Sequence, residues 1–165
     1  YTNPWGERHY INDIETREDG GTPGFIQAIK TAMAIRLKEE MGEDNILARE
    51  HEIMELMYEG FSRIPEINLL DINQKVRLGV FSFTVTNIHY NLIVRLLNDR
   101  FGIQTRGGCA CAGTYGNNLL NIDGIRSHEI YCEINTGDNS LKPGWIRLSI
   151  HPTTSNDEVN YMNTA

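Results

Sequence analysis

The order in which this chain changes its hydrophobic period limits its fold more than any single motif does. After a polar opening, Thr22 is a candidate helix cap and Pro23 suits a first helical position, and Phe25, Ile29, Ala32, Met33 and Leu37 then recur at helical spacing. Gly42 supplies a stop. Ile46, Ile53, Met54, Met57 and Phe61 form a second helical series, so two successive helices are expected. Beyond Pro65 the period shortens. EINLL reads as a short strand, DINQ as a turn, and KVRLGVFSFTV as a longer strand whose alternation changes phase near Gly79. TNIHYNLIVRLLNDRFG reads as a helix with Asn87 as its cap, Leu92, Ile93, Leu96 and Leu97 as its packed stripe and Gly102 as its stop. IQT is a short strand, residues 125–134 are a helix within a turn-rich stretch, WIRLSI is a strand, and Ser155 or Asn156 caps a terminal helix. This order predicts an α+β fold in which a small antiparallel or mixed sheet of three to four strands packs with helices, and it argues against a doubly wound sheet.

A chain of 165 residues fits one domain with a real hydrophobic core. Its net charge of −7 argues against a nucleic-acid backbone or an anionic membrane surface as the main partner. Cys109, Cys111 and Cys132 are too few and too unevenly placed for a disulfide framework, so a reducing cytoplasm is expected. The chain opens YTNPWGERHY, without an initiator methionine, a basic start or an apolar run, and stops at NYMNTA within the first turns of a helix. It therefore reads as a piece cut from a longer protein.

Three stretches carry side chains with chemical potential. DGGTPGF, residues 19–25, sets free amides, a hydroxyl and glycines at a helix start, where an anion such as phosphate is favoured, although plain capping accounts for it as well. RGGCACAG, residues 106–113, admits a soft-metal clip, a redox pair, one nucleophilic cysteine whose thiolate is favoured by Arg106, or a buried turn. No second cluster of Cys or His lies at ligand spacing, so no metal site is expected. In GWIRLSIHP, Arg147 alternates with Ile146 and Leu148 and points away from them; on a covered face it needs an anionic partner, and a carboxylate held bidentately is the natural one. His9, His51, His89, His128 and His151 are scattered and read as surface or packing residues.

Taken in order, DGGTPG before a long helix, RGGCACAG after a short strand and WIRLSIHPTTSNDEV before a terminal helix resemble the C-terminal part of the class V aminotransferases, the pyridoxal phosphate family that includes cysteine desulfurases and selenocysteine lyases. The resemblance covers roughly Thr16 to Met162 and is weakest between Asn117 and Gly144. It implies that residues 1–21 are a linker from a large domain and residues 22–165 a small C-terminal domain, truncated at its terminal helix, in a homodimer. It also implies site roles. Gly21 and Thr22 reach the cofactor phosphate of the neighbouring subunit. Arg147 binds the α-carboxylate of an amino-acid substrate. The desulfurase segment R-x-G-x-x-C-A laid on R-G-G-C-A-C-A makes Arg106 a substrate-holding residue and Cys111, not Cys109, the residue that takes up sulfur and passes it to an acceptor protein. The family's cofactor-bearing lysine sits in an S-x-H-K context that this chain lacks. Lys30, Lys38, Lys75 and Lys142 have other settings, so the chain by itself is expected to be inactive. A plain aminotransferase with an unreactive Cys111, and a non-enzymatic thiol or metal module, are the competing readings.

Overall fold

The computed structural model describes residues 1–74, 77–109 and 111–165. It divides into two units, Tyr1–Glu43 and Asp44–Ala165. The first holds α1 (Ile14–Glu18) and α2 (Phe25–Met41). Helix α1 lies in the stretch expected to be loop. Its cap accounts for it: the Asp13 carboxylate accepts from the Thr16 amide at 3.0 Å and from the Thr16 hydroxyl, satisfying an amide that a helix start leaves orphaned. These two bonds, the hydroxyl first, hold Asp13 below the usual carboxylate range. Helix α2 starts later than Thr22 and Pro23 predict. Gly24 is its cap, and the Phe25 amide donates to the Pro23 carbonyl at 2.9 Å, so Thr22 lies in the approach to the helix. The stop at Gly42 is where the sequence puts it, at φ 81°. No residue of α2 is buried, and Phe25, Ile29, Met33 and Leu37 are all exposed.

The second unit is built on a four-stranded sheet of β1 (Ile67–Leu69), β2 (Val80–Val85), β3 (Arg106–Gly108) and β4 (Trp145–Ser149), in the order β1-β2-β4-β3 with every pairing antiparallel. Its helices are α3 (Glu43–Ser62), α4 (Tyr90–Phe101), α5 (Gly113–Leu119), α6 (Gly124–Asn135) and α7 (Asn156–Thr164). The expected α+β fold with a small antiparallel sheet is what forms. Lys75 and Val76, read as the opening of the strand KVRLGVFSFTV, lie outside the described residues, and the strand itself begins at Val80. At the predicted phase change the Gly79 amide leaves the ladder and donates to Glu50 Oε1 of α3 at 2.6 Å.

Alternation decides which face of the sheet is apolar. Phe81, Phe83, Ile146 and Leu148 share one face, where they pack with Ile53, Met54, Met57 and Phe61 of α3, Tyr90 of α4 and Val159 of α7. The Phe61 ring centroid lies 5.3 Å from those of both Phe81 and Phe83. Helix α7 is joined to α3 by Asn163, whose side-chain amide donates to the Leu56 carbonyl at 3.0 Å beside Gly60. Its cap is Ser155, one of the two expected, in a capping box in which Ser155 and Glu158 are bonded reciprocally.

Three local expectations are corrected. His89, not Asn87, caps α4, its side chain accepting from the Asn91 amide; Asn87 instead takes a left-handed turn conformation at φ 60°. The packed stripe of α4 is Tyr90, Ile93, Val94, Leu97 and Phe101, while Leu92 and Leu96 are exposed. A stripe one residue out of phase follows from placing the helix start too early. IQT forms no strand; the pairing residues are Arg106–Gly108. Phe81 is fully buried at the centre of this packing, so Phe81→Ala is expected to lower the unfolding free energy by about 3–5 kcal/mol. Ile35→Ala, on exposed α2, should change it by less than about 0.5 kcal/mol. Urea titration of the two variants checks both.

Candidate functional site

The face of the sheet opposite the core carries a row of polar side chains. Ser82 of β2 stands opposite Arg147 of β4, and Arg147 stands opposite Arg106 of β3. Directly opposed residues share a face with Cα atoms about 4.5–5.5 Å apart, and like charges so placed are destabilising. Neither guanidinium has an ion pair or hydrogen bond among the described residues, whereas Arg36, Arg49, Arg63, Arg95 and Arg126 are each held by a carboxylate. Arg106 is exposed and Arg147 half-buried. A shared anion between two forks would relieve the repulsion, and a carboxylate fits their geometry.

Trp145 lies two residues before Arg147 and so on the same face, yet it is buried. Its cover is α5. A Cβ added to Gly116 would stand 3.0 Å from the indole Cζ3, so any larger residue there requires the ring to give by a few tenths of an ångström. The segment between β3 and α5 is thereby tied to the polar face at both ends. Within it the Ala112 amide donates to the Cys109 carbonyl at 2.9 Å, closing a turn in which Cys111 is exposed at φ 60°. The other non-glycine residues at positive φ are Asp71, Asn87 and Asn121, whose short polar side chains tolerate that region. A cysteine has no such compensation, and the conformation costs of the order of 1–3 kcal/mol. Such outliers cluster at functional sites.

Cys109 is half-buried, with its Cβ 3.8 Å from where a Cβ at Gly116 would stand. Its neighbour is Tyr90, which the core places under the sheet edge: a Cβ at Gly107 would meet Tyr90 Cδ2 at 2.7 Å, and one at Gly144 would meet Cε1 at 2.6 Å. Gly107 of β3 and Gly144, just before β4, therefore make room for this ring. Burial, and then the charge on Cys109, push the Tyr90 hydroxyl above its ordinary value.

Gly21 and Thr22 lie in the unit Tyr1–Glu43. Gly21 has φ 134° with open space where a Cβ would stand. The Thr22 amide and hydroxyl have no partner among the described residues, and both precede α2. Free donors, a glycine and a helix start suit a phosphate group, so these residues fit the cofactor the sequence implies. Lys38 is bound to Glu43 at 2.6 Å, Lys30 lies in α2 and Lys142 precedes β4; Lys75 lies outside the described residues. Among the described residues no group of three or more His, Cys, Asp or Glu is placed to hold a metal ion, and no helix is long and apolar enough to cross a membrane. A cleft of about 600 Å³ in the second unit, against Met54, Tyr58, Phe61, Ile67 and Leu69, is mostly apolar and contains none of the candidate residues. The sequence reading missed Ser82, Tyr90 and the Trp145–Gly116 contact. Ser82 was accessible to it, as the polar residue between two phenylalanines.

A small α+β domain with a two-arginine row and a strained thiol loop on one sheet face is the frame these residues define. The class V aminotransferase family model matches residues 4–162, and the chain belongs to that family. Its cofactor is pyridoxal phosphate. A probable cysteine desulfurase of Staphylococcus aureus strain Mu50 is 34% identical over 100 residues, which are 61% of this chain and 24% of that protein. One from Staphylococcus epidermidis strain ATCC 12228 is 32% identical over the same share. The apo cysteine desulfurase of Thermococcus onnurineus NA1 superposes with a TM-score of 0.72 at 25% identity, over 99% of this chain and 35% of that one. The cystine C-S lyase C-DES with its product cysteine persulfide shares the fold, with a TM-score of 0.57 at 19% identity, over 99% of this chain and 35% of that one. The chain thus spans about a quarter of the length of the curated relatives it matches.

Two outcomes are expected. Arg106→Gln removes one of two opposed charges and should stabilise the chain by about 0.2–1 kcal/mol at low ionic strength, a gain that shrinks with added salt; thermal melts at two salt concentrations measure it. Because the folded state raises the Tyr90 hydroxyl above its unfolded value near 10, its contribution to stability is complete below that pH and is lost as pH rises through the folded value. Tyr90→Phe should therefore flatten the alkaline limb of the stability profile.

Proposed function

We propose that this chain is the substrate-side portion of a pyridoxal-phosphate enzyme that removes sulfur from cysteine, or selenium from selenocysteine. The observation that carries the reading is the row Ser82, Arg147 and Arg106, whose two arginines stand opposite each other with no counter-ion among the described residues, next to the Cys111 turn. In this reading Arg147 and Arg106 hold the α-carboxylate of the amino acid, which fixes its orientation and offsets their mutual repulsion. Gly21 and Thr22 hold the cofactor phosphate of a neighbouring subunit in a homodimer. Pyridoxal phosphate, when bound, supplies the electron sink for the substrate carbon.

Cys111 is the nucleophile. Its thiolate forms a bond to the substrate sulfur as the substrate carbon–sulfur bond breaks, the electron pair of that bond going to the carbon fragment. Alanine and a Cys111 persulfide result, and the persulfide sulfur passes to an acceptor in the cytoplasm. Exposure of Cys111 supports this over the aminotransferase alternative, in which the side chain only packs. Residues 1–21 serve as the linker from the large domain that supplies the cofactor lysine, and residues 22–165 as the small domain.

In the full-length parent, Cys111→Ala should lower sulfide release from cysteine by about 10²-fold or more while cofactor loading is unchanged. Unchanged release would overturn the desulfurase reading. Arg147→Ala should lower kcat/KM by about 10²-fold. The 165-residue chain alone, mixed with pyridoxal phosphate and borohydride, should acquire no stoichiometric lysine attachment; mass spectrometry reads this directly.

A further inference from the structure

The reading above uses Cys111 and leaves Cys109 without a role, although the two stand in one turn. We infer that Cys109 is a resolving thiol, which releases the sulfur carried by Cys111 as hydrosulfide and closes a Cys109–Cys111 disulfide. The inference rests on Cys111 being the sulfur acceptor.

Both thiols are free, and they differ in surroundings. Cys111 is exposed on the strained residue of the turn, while Cys109 is half-buried beside Tyr90, close enough for its charge to act on that ring. The bond from the Ala112 amide to the Cys109 carbonyl folds the chain back on itself. Cα atoms two positions apart in such a turn lie about 5–6 Å from each other, inside the range that disulfides span. Cys111 is the more accessible of the two thiols, and Cys109 lies two positions away within the same turn.

The step balances without an external oxidant. The Cys109 thiolate attacks Sγ of the Cys111 persulfide, a sulfur–sulfur bond forms between the two side chains, and the bond to the terminal sulfur breaks with its electron pair leaving on hydrosulfide. Hydrogen sulfide is a stronger acid than a cysteine thiol, so hydrosulfide is the better leaving group, and attack at Sγ is favoured over transfer of the outer sulfur to Cys109. The ring closed by a Cys-x-Cys disulfide is small and strained, which makes it easy to reduce. Two molecules of a low-molecular-weight thiol then restore both cysteines and leave as their own disulfide. The loop would thereby discharge sulfur as free sulfide by using small thiols, in the absence of an acceptor protein.

The test uses the 165-residue chain with Cys132→Ser throughout, because Cys132 is a third free thiol and exposed, 3.6 Å from His128 Nε2 on α6. The reduced chain is given limiting inorganic tetrasulfide, freed of small molecules, alkylated and weighed intact, and released sulfide is assayed. The expected product is a chain two hydrogens lighter than the dithiol and resistant to alkylation, with sulfide released as the disulfide forms. Cys109→Ser should instead hold one extra sulfur on Cys111 with a lifetime longer by about tenfold or more. Cys111→Ser should take up no sulfur. Equal persulfide lifetimes with and without Cys109, or a stable extra sulfur on Cys109, overturn the inference. Failure of Cys111 to accept sulfur in the Cys109→Ser chain is a separate result, which overturns the sulfur-acceptor reading itself.

Discussion

The pairing of β4 with a strand on each side is the constraint on which the second unit depends. Strand β4 takes β2 along one edge and β3 along the other, and its five residues serve both faces of the sheet. Ile146 and Leu148 enter the core that α3, α4 and α7 close, while Trp145 and Arg147 project from the other side. A shift of one residue in this register would bring an arginine into the core and expose two aliphatic side chains. The hydrophobic demand of one face therefore fixes the chemistry of the other. Arg147 meets Arg106 because Ile146 and Leu148 have to meet Gly107, Phe81 and Phe83.

The same register sets two cations opposite each other with no counter-ion among the described residues, and the fold accepts the repulsion because the apolar contacts across the sheet are far larger than a pair of solvated charges. Strain at Cys111 is of the same kind. It is imposed by a turn whose ends are set elsewhere, by the β3 ladder before it and by the seat of α5 on Trp145 after it.

Much of this was legible in the sequence. The period changes located α3, β2, β4 and α7, and the alternation of WIRLSI assigned Arg147 to the face away from the core before any neighbour was known. The sequence narrows the last helix start to Ser155 or Asn156, and Ser155 is the cap that forms. What was not legible has physical reasons. The start of α4 depends on His89 serving as a cap, a role in which Asn87 has the stronger intrinsic preference. Helix α1 is five residues long and buries nothing, so no apolar period marks it. Helix α5 is a seven-residue run with two glycines and two asparagines, held by tertiary contact with an indole and not by propensity. The opposition of Arg106 and Arg147 joins positions 41 apart in the chain, and nothing local to either announces it.

The seat of Gly116 on Trp145 also bears on how this chain can diverge. Between Leu120 and Gly144 the polypeptide leaves the sheet and returns to it, and both ends of that excursion are anchored, one by the clamped helix and the other by β4 itself. Length variation there is absorbed at small entropic cost, since each doubling of a loop costs only about 0.6 kcal/mol. An inserted residue between Cys111 and Gly116 has no such freedom, because it would rotate the helix off the indole. The domain thus separates a stretch where evolution can add surface from a five-residue ruler that it cannot lengthen without moving its thiol.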